Sequence, residues 1–93
     1  LGAERPLELG LVSRVVGDGE LMEQALDLAD RIAANAPLAV RASKRMLRSG
    51  SEEDFAAHVH RVYLQLLPLF RTDDFREGMM SFLEKRPAQF KGR

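Results

Sequence analysis

The chain has 93 residues, which bounds it to one domain. Its 14 Lys+Arg balance 14 Asp+Glu, and this argues against a general nucleic-acid binder, which carries a strong basic excess. Cysteine is absent, so neither a disulfide nor a thiolate metal site can staple a fold that buries only about 60–65 % of its unfolded surface. No apolar run approaches the ~20 residues of a membrane span. An apolar content of 45 % with no net charge is not the composition of a disordered chain. Leu1 opens the chain in place of Met, without a charged or apolar leader, so a piece of something longer is expected. The charge is segregated. Asp18, Glu20, Glu23, Asp27 and Asp30 lie in a stretch without bases, and Arg41, Lys44, Arg45 and Arg48 in one without acids.

Residues 4–9 read as a short helical turn, with Pro6 tolerated early and Gly10 suited to its end. Leu11 to Val16 reads as a strand, rich in β-branched residues and bracketed by Gly10 and Gly17-Asp18-Gly19. Such a strand needs a partner from outside this segment. A first long helix is expected from Glu20 to Asn35, with Leu21, Ala25, Leu28, Ala29 and Ile32 at helical spacing. Pro37 opens a second, to Ser49, with Gly50 after its end and Arg45 and Arg48 near the negative pole. Ser51 is the expected cap of a third, followed by Glu52, Glu53 and Asp54. Its stripe is Phe55, Val59, Val62, Tyr63 and Leu66, and Pro68 should end or kink it near Leu67. Thr72 caps a fourth helix, with Asp73 and Asp74 in its first turn. Phe75, Met79 and Phe82 share a face there, Gly78 costs about 0.8–1 kcal/mol relative to Ala, and Pro87 stops the helix. The expected fold class is mainly α, about four helices plus one short N-terminal strand. Residues 1–19 form a joining segment and 20–93 a helical region.

Few constellations carry chemistry. His58 and His60 stand ~200° apart around a helix and cannot share a metal, so none is expected. No serine has a Gly-x-Ser-x-Gly setting and no glycine-rich phosphate loop occurs. The carboxylates at 52–54 and 73–74 fit helix N-termini better than an acid/base pair. Arg41, Lys44, Arg45 and Arg48 form one basic face, either solvated or an anion site. Lys85, Arg86, Lys91 and Arg93 surround Phe82 and Phe90, a pairing of charge and ring that suits an adenine nucleotide. Phe82 fits equally well as core on the Phe75–Met79 stripe.

Four phrases in order are more specific. Glu8-Leu9-Gly10-Leu11-Val12-Ser13-Arg14-Val15-Val16 resembles the A-x-x-x-G-L-V-x-x-V-V segment of the crotonase (enoyl-CoA hydratase/isomerase) superfamily, with Pro6-Leu7 where Ala-Leu is common. Ala36-Pro37-Leu38-Ala39-Val40-Arg41-Ala42-Ser43-Lys44 is similar to its S/A-P-L-A-V-R-A-x-K. Asp73 to Gly78 resembles S-x-D-x-x-E-G, with Thr72 at the Ser position, and Ser81 to Arg93 resembles the ending A-F-x-E-K-R-x-P-x-F-x-G-R.

The resemblance covers the C-terminal third of the family's chains, the helical trimerisation region of the crotonase β/β/α spiral fold. It implies that the oxyanion hole and the catalytic carboxylates lie outside this segment. No catalytic residue is therefore assigned, and Glu52, Glu53 and Glu77 are not promoted to that role. It also implies that Phe82 lies against the adenine, and Lys85 near a phosphate, of a neighbouring subunit's CoA. Coenzyme A would enter as part of the acyl-CoA substrate, with no further cofactor. The implied reaction of the full-length parent is hydration of a trans-2-enoyl-CoA, with enoyl-CoA isomerase or another crotonase-type reaction as the alternative. The implied assembly is a homo-oligomer, a trimer or dimer of trimers, without nucleic acid or membrane. The implied location is cytoplasmic, or the mitochondrial matrix in a eukaryote. A reading from another class is a non-catalytic helical oligomerisation module, and a third is an anion-binding helix pair built on Arg41 to Arg48.

Overall fold

The structure, a computed structural model, describes residues 2–93. In order, the elements are α1 (Glu4–Glu8), α2 (Leu21–Ala33), α3 (Pro37–Gly50), α4 (Phe55–Leu69) and α5 (Asp73–Glu84). The chain divides into a unit reaching to Asp30 and a second unit, Arg31–Arg93.

In the first unit, α1 closes on Gly10 in the left-handed region, φ 75°. The Gly10 amide donates to the Leu7 carbonyl and the Leu11 amide to that of Pro6, which satisfies the helix's last acceptors. The expected strand over residues 11–16 does not form. No strand occurs among the described residues, so the segment has no ladder to join. β-branched side chains favour extended backbone, but a strand exists only where another shares its hydrogen bonds. A turn at Gly17–Gly19 then leads into α2, the Glu20 amide donating to the Gly17 carbonyl.

The second unit begins in the last turn of α2. That helix stops at Ala33, short of the expected Asn35, because the Asn35 side-chain amide donates back to the carbonyls of Arg31 and Ile32. Pro37 starts α3 as the spacing predicts. Helices α3 and α4 pack together. Ala42 is the buried apolar residue of that pair, 1 % exposed, and Arg45 Nη2 reaches Gln65 Oε1 at 3.1 Å.

The cap of α4 is a correction to the sequence reading. Ser51 does not cap it: its hydroxyl donates to the Arg48 carbonyl at 2.9 Å and so closes α3. Asp54 caps α4, its Oδ1 accepting from the Ala57 amide at 2.8 Å. The helix starts three residues later than a Ser51 cap requires. Asp54→Ala should therefore lower stability by about 1 kcal/mol and Ser51→Ala by less, a ranking that urea midpoints check directly.

The turn between α3 and α4 is tied by Glu53. Its carboxylate accepts from Arg61 Nε at 2.9 and 3.2 Å and meets His58 Nδ1 at 3.0 Å. The Arg61 bond first, and the His58 bond second, hold the Glu53 carboxyl below its usual range. Pro68 does not end α4 near Leu67; it sits inside the final turn, which runs on to Leu69. Thr72 then caps α5, accepting from the Phe75 amide at 3.1 Å, and the rings of Phe70 and Phe75 meet edge-on, centroids 5.0 Å apart. An apolar cleft of about 380 Å³ opens in this unit, lined by Leu38, Leu66, Leu69, Phe75, Met79 and Phe90 among others.

Candidate functional site: the end of α5 and the closing segment

Helix α5 carries Asp74, Glu77 and Gly78 at i, i+3 and i+4, so they share one face. The closing segment 85–93 runs back along that face. Asp74 is buried, 3 % exposed, and its two oxygens accept the Lys91 and Gly92 amides at 2.7 Å each. Its own amide donates to the Arg93 carbonyl at 2.8 Å. Glu77 accepts from Arg86 Nη1 at 2.6 Å, Arg86 Nη2 at 3.1 Å and the Gln89 amide at 2.9 Å. Phe90 lies over Gly78, where an added Cβ would stand 3.6 Å from the ring. The Asp-x-x-Glu-Gly phrase is thus the receptor for the chain's own end. Its carboxylates accept backbone and guanidinium protons.

The Arg86 guanidinium, and then the Gln89 amide, push the Glu77 carboxyl down to about 2 from an ordinary 4.5. The sign of its pH dependence follows. A carboxyl whose pKa is lower in the folded state stabilises fully above the unfolded value of 4.5, and that contribution is lost as pH falls through about 2. A carbon-detected NMR titration should find the Glu77 midpoint near 2. A midpoint in the ordinary carboxylate range would mean the Arg86 fork is not populated in solution.

Phe82 and Lys85 stand one turn apart at the far end of α5. Phe82 is off the apolar cleft that Phe75 and Met79 line and is 81 % exposed, so within this chain it does not pack as core. Lys85 is exposed and has no ion-pair partner among the described residues. Its backbone occupies the left-handed region, φ 54°, and this, rather than Pro87, stops α5 at Glu84. The other candidates remain apart. Arg41, Lys44, Arg45 and Arg48 are exposed along α3. His58 is taken up by Glu53, and no group of three metal-ligating side chains gathers among the described residues. No helix is long and apolar enough to cross a membrane. Sequence reasoning missed Asp74 and Glu77 as receptors of the tail. The available signal was their i, i+3 spacing on a helix followed closely by Arg86 and Phe90.

A mainly helical segment whose closing phrase folds onto an Asp-x-x-Glu-Gly helix defines the class. The chain belongs to the enoyl-CoA hydratase/isomerase family, whose profile matches residues 1–93. It is 38 % identical over 97 residues to carnitinyl-CoA dehydratase of Escherichia coli O157:H7, covering 100 % of this chain and 37 % of that protein. It is 41 % identical over 93 residues to YngF of Bacillus subtilis, covering 97 % of this chain and 35 % of that protein. The crystal structure of an enoyl-CoA hydratase/isomerase from Mycobacterium paratuberculosis superposes with a TM-score of 0.92 at 33 % identity, covering 100 % of this chain and 37 % of that one. The chain thus spans little more than a third of the curated relatives it matches.

Proposed function

We propose that these residues are the C-terminal helical part of an acyl-CoA enzyme whose full-length chain adds water across the trans-2,3 double bond of an enoyl-CoA, a lyase reaction of fatty-acid oxidation in the cytoplasm. The family membership supports the substrate class. The dehydratase among the relatives supports the reaction, since removal of water is hydration in reverse. Within that enzyme this segment supplies oligomer contacts and part of the CoA site. The carrying observation is the exposed pair at the end of α5: Phe82 offers an open aromatic face to the adenine, and Lys85, one turn on and without an ion-pair partner among the described residues, offers its ammonium to a phosphate. Lysine binds phosphate as a point charge, and a flat ring stacks without a geometric code.

No residue here carries the proton transfer. The 93-residue chain alone is expected to show no crotonyl-CoA hydration, and turnover by it would overturn the division of labour. In the full-length enzyme, Lys85→Glu should raise KM for crotonyl-CoA about tenfold, equivalent to ~1.4 kcal/mol, with kcat held. An unchanged KM would remove Lys85 from the CoA site.

One observation favours a second reading. Leu47, Phe55 and Leu83 are also well exposed, so the helices present apolar surface that a non-catalytic oligomerisation module would bury between copies. Sedimentation decides this: a well-behaved monomer at high concentration excludes it.

A further inference from the structure

Lys85 has a positive φ, the only non-glycine residue to do so among those described. Its amide donates to the Phe82 carbonyl at 3.3 Å and the Arg86 amide to that of Ser81 at 3.0 Å. This is the paired closure of a helix C-terminus in which glycine is the usual occupant, because a Cβ there crowds the following carbonyl. Lysine stands where glycine would sit without strain.

The residue that follows is unusually constrained. Arg86 donates through Nη1 and Nη2 to both oxygens of Glu77, at 2.6 and 3.1 Å, and through Nε to Glu84 Oε2. Glu84 immediately precedes Lys85 and Arg86 immediately follows it, so an ion pair ties together the two residues that flank the strained one. Glu77 ties both to the middle of α5. Arg86 directs its charge to these carboxylates, whereas Lys85 has no ion-pair partner among the described residues.

We propose that Arg86, held by Glu77 and Glu84, is a positioning residue for Lys85: it maintains the left-handed backbone that presents the Lys85 ammonium beside the Phe82 ring to the phosphates of a bound nucleotide. Strained backbone persists where surrounding contacts over-determine it, and here those contacts are the three guanidinium bonds. The inference rests on the assignment of Lys85 to the CoA site.

The test uses the full-length enzyme with two substrates, crotonyl-CoA and crotonyl-pantetheine, the second lacking the nucleotide. Glu77→Gln and Arg86→Gln should each raise KM for crotonyl-CoA about three- to tenfold, leave kcat unchanged and leave the pantetheine thioester unaffected. Arg86→Lys should recover part of the loss. Lys85→Gly should raise the melting midpoint by about 2–4 °C while raising KM, stability gained as the ammonium is lost. Wild-type KM in Glu77→Gln and Arg86→Gln, with Lys85→Glu impaired, overturns the positioning role and leaves the CoA assignment standing. A silent Lys85→Glu overturns both. An effect confined to Arg86→Gln means that Arg86 acts through its own charge, and equal loss on both substrates means a general structural role; either overturns the proposal.

Discussion

Asp74→Ala releases the closing segment from α5. The Asp74 carboxylate is nearly enclosed and accepts two backbone amides at 2.7 Å, seventeen and eighteen residues further along. Hydrogen bonds to a charged acceptor contribute about 1.5–3 kcal/mol each, and a buried donor left without a partner costs a further 1–3, so the expected loss is roughly 2–4 kcal/mol after relaxation. Local opening should then dominate exchange at Lys91 and Gly92, whose amide protons should exchange about a hundredfold faster. Asp74→Asn is not a rescue. Asparagine offers one acceptor and turns its NH2 toward the second amide, donor against donor. The checking measurement is native-state hydrogen exchange read at these two amides against the helical amides of α4. Unchanged protection in Asp74→Ala would show that the tail is held by Glu77 and Phe90 without it.

Gly78 gives the second large effect, and its sign depends on size. An added Cβ would meet the Phe90 ring at 3.6 Å, ordinary contact, and nothing else within 4 Å. Gly78→Ala should therefore be neutral or stabilising by up to ~1 kcal/mol, since glycine inside a helix carries a backbone entropy cost. Gly78→Leu asks for three more carbons where Phe90 already lies. Overpacking of that kind costs about 1–3 kcal/mol, and here it pushes Phe90 off the helix. Thermal melts of the two variants should move in opposite directions. Destabilisation by alanine as well would mean that the ring sits closer to the added Cβ than 3.6 Å.

The clamp formed by Asp74, Glu77 and Gly78 also bears on function. Both carboxylates on this face are occupied by the chain's own amides and guanidinium. In this arrangement neither oxygen pair is open to a further donor. The clamp seats the closing segment on α5 and leaves Phe82 and Lys85 exposed at the helix's end.

Much of the fold was legible because its signals are local. Helical periodicity and punctuation by Gly10, Pro37 and Thr72 placed five helical segments close to where they lie. The four family phrases located the chain in its family for the same reason: they are contiguous runs of residues. The errors arose where a partner decides. Leu11 to Val16 has the composition of a strand, but a strand is a relation between two segments and the second is not among the described residues. Ser51 and Asp54 are both competent caps, and only the backbone could say that Ser51 turns back to Arg48 while Asp54 meets Ala57.

The same distinction runs through the candidate site. An α-helix has a fixed pitch, so spacing alone was enough to put Asp74, Glu77 and Gly78 on one face, a signal the sequence reading did not draw. The sequence by itself also settled the family and the absence of a metal-ligand spacing at His58 and His60. Tertiary structure decided what each face meets. Asp74, which read locally as a charge suited to a helix N-terminus, and Glu77, which had been given no role, became receptors for amides and a guanidinium up to eighteen residues away. Phe82, in phase with Phe75 and Met79, was left open because the tail lays Phe90 over Gly78 and runs on toward Asp74, away from the last turn. Burial and hydrogen-bond partnership are set by what arrives from elsewhere in the chain, and a helical period carries no record of that.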